Sequence, residues 1–399
     1  MKHTAFFKAA SITLAAAAAT ACFAGCGGNK DEAPKFSAKN YNIGVSGPLT
    51  GGAAIYGTAV YNGATMAVLE INEAGGANGV KFSFEMKDDA HDATKSPTNY
   101  ASLWDDGMQV SLGCVTTKPF LATKTDVVKD KMFTLCPSAS GDDVTKDADN
   151  IFQMCFTDSG QGAEAAKYVK SNFTDKSSVK IGILYQSGDD YSEGLYNNFI
   201  KELGESYGGY NVKEASFAEN TTTFDSQVQT LKDCTFFFMP IYYTPASQFM
   251  LAAKGQVADS AVYFGCDGFD GIDSIPGFDI TTIKQEVSML SHFNSKATEG
   301  KAKEFVDNYS KKYGTSTLNQ FGAAAYDCVY AIKQAIEKAV ANGENVPADI
   351  AATALNDILT KTFLSDSFSF SGVTGTNIKW NADGTVNKAS VKYVIKSKS

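Results

Sequence analysis

Short apolar runs alternate along this chain with longer stretches in which apolar residues return at helical spacing. Runs at 41–46, 81–87, 109–114, 132–136, 178–185, 210–218, 234–240 and 261–266 have the length and composition of buried strands. Between them, 56–74, 162–172, 192–205 and 246–254 carry the period of amphipathic helices. This βαβ order predicts an α/β fold of parallel sheets covered by helices on both faces. The plan runs through four units and restarts at Ser178, and 399 residues exceed what one hydrophobic core usually serves, so two lobes are expected. Beyond Ile283 the pattern predicts helices over 301–313 and 319–341 and a hairpin-like tail over 377–398.

The start of the chain departs from this plan. Lys2, His3 and Lys8 precede an Ala-rich apolar run from Ala9 to Ala21, then small residues leading into Cys26, which is the layout of a secretory signal. The run is too short to span a bilayer as a stable helix, and Phe23-Ala24-Gly25-Cys26 resembles a bacterial lipoprotein cleavage box, with Phe where Leu is usual. Residues 1–25 are therefore read as a signal peptide, Cys26 as the lipidated residue, and 26–40 as a polar tether. An ordinary secreted protein with an incidental cysteine is the alternative. No later stretch is long and apolar enough to span a membrane, so anchoring through lipid on the outer side of the cell membrane is the expected location.

Composition is that of a globular protein, 44% hydrophobic and 20% charged. The net charge of -9 argues against nucleic acid as a partner, because phosphate binding draws on a basic surface. Setting aside Cys22 and Cys26 leaves Cys114, Cys136, Cys155, Cys234, Cys266 and Cys328, without a CxxC or a nearby His, so no metal is expected. Cys114 and Cys136 each close a predicted strand; they could pair in an oxidising compartment, or all six could be small buried side chains.

In open parallel sheets ligands sit at the carboxyl ends of strands, so chemistry is sought just after each one. The first is followed by GPLTGGAAIYG (47–57), which turns into a helix N-terminus but lacks the Lys-Ser/Thr of a phosphate loop. Later strands are followed by Thr116-Thr117 and by Pro137-Ser138-Ala139-Ser140, whose hydroxyls and free N–H groups suit a carboxylate or, equally, cap a helix. The second half offers Asp189 to Gly194, Tyr242-Tyr243, and Asp267 in a Gly-flanked loop where a carboxylate could meet an ammonium group or merely close a turn.

In order and wording these segments resemble the branched-chain amino acid (Leu/Ile/Val) binding proteins of bacterial ABC importers, which have the two-lobed type I periplasmic-binding fold. The likeness spans nearly the whole mature chain: GPLTGGAAIYG, NGATMAVLEINEAGG (62–76), DDAHDATK (88–95), AKYV (166–169), DYSEG (190–194), GCDGFD (265–270), AAAYDCVYAI (323–332) and GVTG (372–375). It implies that Thr117, Ser138 and Ser140 hold a ligand carboxylate, that Asp267 takes the ammonium, and that Tyr56, Tyr191 and Tyr243 surround the side chain. One departure is Phe152-Gln153-Met154, where many members have Phe-Arg-Thr. Lobe one is expected over 41–158 with 287–364 and lobe two over 159–286 with 365–399, joined by three crossings. The function implied is capture of an amino acid, branched-chain or otherwise apolar, by hinge closure, with an ABC importer permease as partner and the protein as a monomer without cofactor. An amide or aromatic acid as ligand, or a ligand-sensing receptor component of the same fold, are the alternatives.

An enzyme is not expected. The mature body contains only His91 and His292, expected to be surface or capping residues, and no GxSxG or HExxH. SxxK at 177–180 leads into a strand without KTG, and the adjacent Asp189 and Asp190 read as a solvated turn rather than a glycosidase pair.

Overall fold

The computed structural model describes residues 32–398; the expected signal peptide and Cys26 lie outside them. The first half builds β1 (Asn40–Gly47), α1 (Ala54–Glu73), β2 (Lys81–Asp88), α2 (Ser96–Asp105), β3 (Val110–Cys114), α3 (Thr117–Lys129), β4 (Thr134–Cys136) and β5 (Ile151–Gln153). Its five strands form one parallel sheet in the order β2-β1-β3-β4-β5. After α4 (Asp158–Asn172) the plan repeats with β6 (Lys180–Gln186), α5 (Asp190–Leu203), β7 (Asn211–Phe217), α6 (Asp225–Leu231), β8 (Phe236–Met239), α7 (Tyr243–Ala252), β9 (Val262–Gly265) and β10 (Glu286–Ser291). The chain then forms α8 (Gly300–Tyr313), α9 (Gln320–Ala341), α10 (Ala352–Phe363) and β11 (Val391–Lys396). The second sheet runs β11-β10-β9-β8-β6-β7, parallel except for β11.

Helix α9 returns to the first lobe and crosses α1 at close range. A Cβ on Gly63 would stand 2.0 Å from the Gly322 carbonyl oxygen, so only glycine lets these helices approach so far. This accounts for Gly63 in the segment NGATMAVLEINEAGG, and its partner Gly322 stands just before AAAYDCVYAI.

Two expected boundaries move. The division at 286/287 would cut β10, whose Glu286 to Met289 pair with Val262 to Gly265 of β9, so the chain leaves the second sheet only after Ser291. The tail does not pass at 365 to lobe two as one hairpin. Trp380 donates its indole N–H to the Gln153 carbonyl at 2.8 Å and packs on Phe363, which keeps residues up to about 388 with the first sheet. Only β11 joins the second.

The three crossings gather around Lys388. The residue is half-buried, and its ammonium donates to the Met154 carbonyl at 2.7 Å, on the first crossing, and to the Thr374 hydroxyl at 2.6 Å. Asp327 of α9 in turn accepts from the Val373 and Thr374 amides at 2.8 Å each and from the Thr374 hydroxyl, which explains the AYD and GVTG segments as one buried polar knot. Burial pulls the Lys388 pKa down to about 8, with the Asp327 charge opposing the fall. His292, expected at the surface, is buried on the second crossing against the Phe156 ring, 4.9 Å away. The cause is its place at the end of a buried strand, and burial holds it well below the usual imidazole range.

Candidate functional site

β1 has β2 and β3 as neighbours on its two sides, and β6 likewise lies between β7 and β8. At such switch points the connections depart to opposite faces and leave a crevice beyond the strand ends. In this chain the two crevices face each other. Between them lies a cavity walled on the first side by Thr117, Ser138, Ser140 and Tyr56 and on the second by Tyr191, Tyr242, Asp267 and Gly268, with Phe321 at the N-terminus of α9.

The first wall is made of neutral donors. Thr116, the N-cap of α3, bonds no first-turn amide with its side chain, which leaves those N–H groups directed at the crevice. Thr117 Oγ1 accepts from the Gly141 amide at 3.2 Å, and the Ser138 hydroxyl donates to the Val115 carbonyl at 2.6 Å, so both loops are fixed before any ligand arrives.

The second wall carries charge. Asp267 is buried, accepts from the Tyr191 hydroxyl at 2.7 Å, and is pushed up to about 6 chiefly by burial. The same tyrosine oxygen accepts the Gly268 amide at 2.8 Å. A Cβ on Gly268 would stand 2.6 Å from that oxygen and 2.8 Å from the Ile241 carbonyl, so glycine is required for Tyr191 to reach the loop.

Six of the seven residues named from sequence, Tyr56, Thr117, Ser138, Ser140, Tyr191 and Asp267, thus border one cavity. The seventh does not. Tyr243 opens α7 and turns its hydroxyl to the Ile55 amide at 3.2 Å, while Tyr242 before it stacks on Tyr191 at 4.7 Å and walls the cavity. Sequence reasoning also missed Phe321, which packs edge-on against Tyr56 at 4.7 Å, and His91, whose Nδ1 lies 2.8 Å from the Thr116 hydroxyl and whose ring abuts Tyr242. Burial draws His91 down to about 4, so it is neutral at physiological pH. The aromatic Phe321 follows Asn319-Gln320 in a helix start that the sequence does show; nothing there marks it as facing a cavity.

The lobes stand closed. The Tyr56 hydroxyl donates to the Gly268 carbonyl at 2.6 Å and accepts from the Tyr243 amide at 3.3 Å; the Thr244 hydroxyl donates to the Gly52 carbonyl at 2.8 Å. GPLTGGAAIYG is therefore a closing seam as much as a wall. The walls leave about 10 Å³, room for one water at most, so a ligand of amino-acid size requires them to part. Outside Tyr242 a cleft of about 630 Å³ opens to solvent, rimmed by Lys118 and Glu219, which pair across it at 3.5 Å. Among the described residues no acidic, His and Cys cluster could hold a metal ion, and the six cysteines are buried free thiols, Cys114 and Cys136 included.

Two parallel-sheet lobes with a shared cleft at their strand ends define a ligand-binding protein of the type I periplasmic class. The match to the family described as "Periplasmic binding protein" runs over residues 40–398, and the chain belongs to that family. It is 28% identical over 320 residues to the Leu/Ile/Val-binding protein BraC3 of Rhizobium johnstonii, covering 79% of this chain and 83% of that one. It is also 28% identical over 327 residues to the leucine-, isoleucine-, valine-, threonine- and alanine-binding protein of Pseudomonas aeruginosa, covering 79% and 82%. Among solved structures, the branched-chain amino acid substrate-binding protein LivJ of Streptococcus pneumoniae with isoleucine superposes with a TM-score of 0.75 at 26% identity, covering 90% and 98%. A solute-binding protein of R. palustris in complex with benzoate has the same fold, TM-score 0.75 at 17% identity, covering 90% and 94%.

Proposed function

We propose that this chain is the extracytoplasmic substrate-binding lipoprotein of an ABC importer and captures an amino acid with an apolar side chain by closing its two lobes. The observation that carries the reading is the facing of unlike walls: N–H and hydroxyl donors of the α3 N-terminus, Thr117 and Ser140 on one side, the Asp267 carboxylate on the other. A zwitterion satisfies both only when the lobes are together, so its differential affinity favours closure. Tyr56, Tyr191, Tyr242 and Phe321 supply an apolar surround for the side chain. Cys26 carries the lipid, an importer permease reads the closed form, and the protein acts as a monomer.

The ring-lined cavity also supports a second reading, an aromatic acid, as the benzoate-bound neighbour binds. Asp267 separates the two, since benzoate brings no ammonium to it. A thermal-shift panel of L-leucine, L-isoleucine, L-phenylalanine and benzoate tests the choice. A ligand at 100 times its dissociation constant adds about 2.7 kcal/mol to stability. Stabilisation by benzoate and by no amino acid sinks the first reading.

A further inference from the structure

Asp158 opens α4 just after the first crossing and is fully buried. It is not the helix cap: Thr157 Oγ1 accepts the Gly160 amide at 3.2 Å in that role. Its own amide donates to the Ser140 carbonyl at 2.9 Å, which draws it under the carboxylate-binding loop of lobe one, while Gly194 of α5 covers it from lobe two. Neither carboxylate oxygen has a hydrogen-bond partner. The Ser140 hydroxyl is near enough to favour the charged form, but no donor stands in bonding geometry. The charged side chains acting on it are Asp267 beyond β9, Asp142 beyond β4 and Asp189 at the start of α5, all acidic. Gln161, one turn along α4, accepts the Asp267 amide at 2.9 Å, so α4 and the Asp267 loop move as one piece.

A closed cleft thus buries Asp158 and Asp267 as neighbours, with Asp189 also buried but engaged as the cap of α5, and an amino acid brings one ammonium. We infer that Asp158 is the second carboxyl of the site and takes up a proton from solvent when the lobes close, while the ligand ammonium occupies Asp267. The inference rests on the amino-acid reading above. Burial and the Asp267 charge act in the same sense, holding the Asp158 carboxyl well above its ordinary range. Opening parts the Ser140 loop from α5 and admits water, which returns the group toward ordinary acidity. The sign follows: the closed form binds more protons than the open form, so affinity is fullest in acid. It falls by up to tenfold per pH unit as pH rises toward the closed-state pKa. Asp158 acts here as a positioning residue, keeping the charge at Asp267 single.

Calorimetry with L-leucine at pH 7, in buffers of different ionisation heat, counts the protons. Uptake of up to one proton per leucine, scaled by the share of ligand-free protein that stands open, is expected for the wild type and close to none for Asp158→Asn. Equal non-zero uptake in the two overturns the inference, and absence of uptake in the wild type passes the decision to the locked protein described next. If leucine does not bind, isoleucine or phenylalanine replaces it; if none of the three binds, the amino-acid reading fails instead and Asp158 is decided without ligand. A Gly52→Cys/Thr244→Cys pair can then hold the lobes shut, since a Cβ at position 52 would lie 3.8 Å from Thr244 Oγ1. The locked protein at pH 7 is expected to show an infrared carbonyl band of protonated carboxyl, to which Asp270, raised to about 7 chiefly by burial, also contributes, and Asp158→Asn is expected to remove one carboxyl's share of it; a band unchanged by Asp158→Asn overturns the inference.

Discussion

The lobes are joined at two places, the seam across the cleft and the hinge beside it, and the two junctions use different chemistry. At the seam Thr244, Tyr243 and Gly268 of one lobe meet Gly52, Ile55 and Tyr56 of the other through hydroxyls and backbone groups. Each of those groups can exchange its partner for water when the lobes part, so the bonds cost little to break and select a closed geometry rather than enforce it. At the hinge, the ammonium of half-buried Lys388 is held by the Met154 carbonyl and the Thr374 hydroxyl in front of the fully buried Asp327 carboxylate, which would be left without its cation if they parted. The seam is therefore suited to opening, and the hinge to staying intact throughout.

Lys388→Met should break this contrast most severely. It removes the ammonium from the Met154 carbonyl and leaves Asp327 buried without its cation, at a cost of about 3 kcal/mol or more. Denaturant unfolding should show the loss with or without ligand. A variant as stable as wild type would mean that the Val373 and Thr374 amides and the Thr374 hydroxyl satisfy Asp327 without the cation.

Asp267→Asn comes next and acts on the cleft in two opposite directions. For an amino acid it removes a charge-assisted bond of about 1.5–3 kcal/mol, so calorimetry should show affinity down tenfold or more. Without ligand the sign reverses. A carboxyl raised from 3.8 to about 6 binds its proton more tightly folded than unfolded, so its stabilising share is complete below pH 4 and is lost as pH climbs through 6. The ligand-free Asn variant should therefore melt higher than wild type at pH 8 and not at pH 4. A loss of affinity with no such crossover would show that the closed form is sparsely populated without ligand.

Tyr56→Phe sharpens the seam itself. The hydroxyl is both donor to Gly268 and acceptor from Tyr243, so its loss leaves two groups unpaired on closing, about 1–2 kcal/mol against the closed state. Scattering should show a more open ligand-free protein, and unfolding stability should change less than for Lys388→Met.

The sheets were legible because buried parallel strands read as continuous apolar runs, and the walls because loops at strand ends carry the polar residues. What was not legible depends on phase and depth. β5 is three residues long and leaves no period to read. Tyr242 and Tyr243 are adjacent, and which faces the cavity depends on α7 starting at Tyr243, a boundary no residue marks. Asp158 looks like any acid in a first turn; that it is buried follows from the descent of α4 under the Ser140 loop, a tertiary fact. The two family segments AYD and GVTG were visible, but only coordinates reveal that they bind each other.

The smallest effect should come from Thr244→Val, and it tests whether the seam is graded from core to rim. Its hydroxyl donates to the Gly52 carbonyl at the solvent edge of the cleft, where water can replace it on either side. Valine preserves the shape and removes only the donor. The expected cost to closure is a few tenths of a kcal/mol, since a bond exchanged for water at an exposed site has little net value. Ligand affinity should fall less than twofold, mainly through faster release, because the bond forms after the ligand is enclosed. Stopped-flow release rates from wild type, Thr244→Val and Tyr56→Phe would rank the three. If Thr244→Val released ligand as fast as Tyr56→Phe, the rim would latch the cleft as firmly as its interior, and the contrast between a yielding seam and a fixed hinge would have to be redrawn.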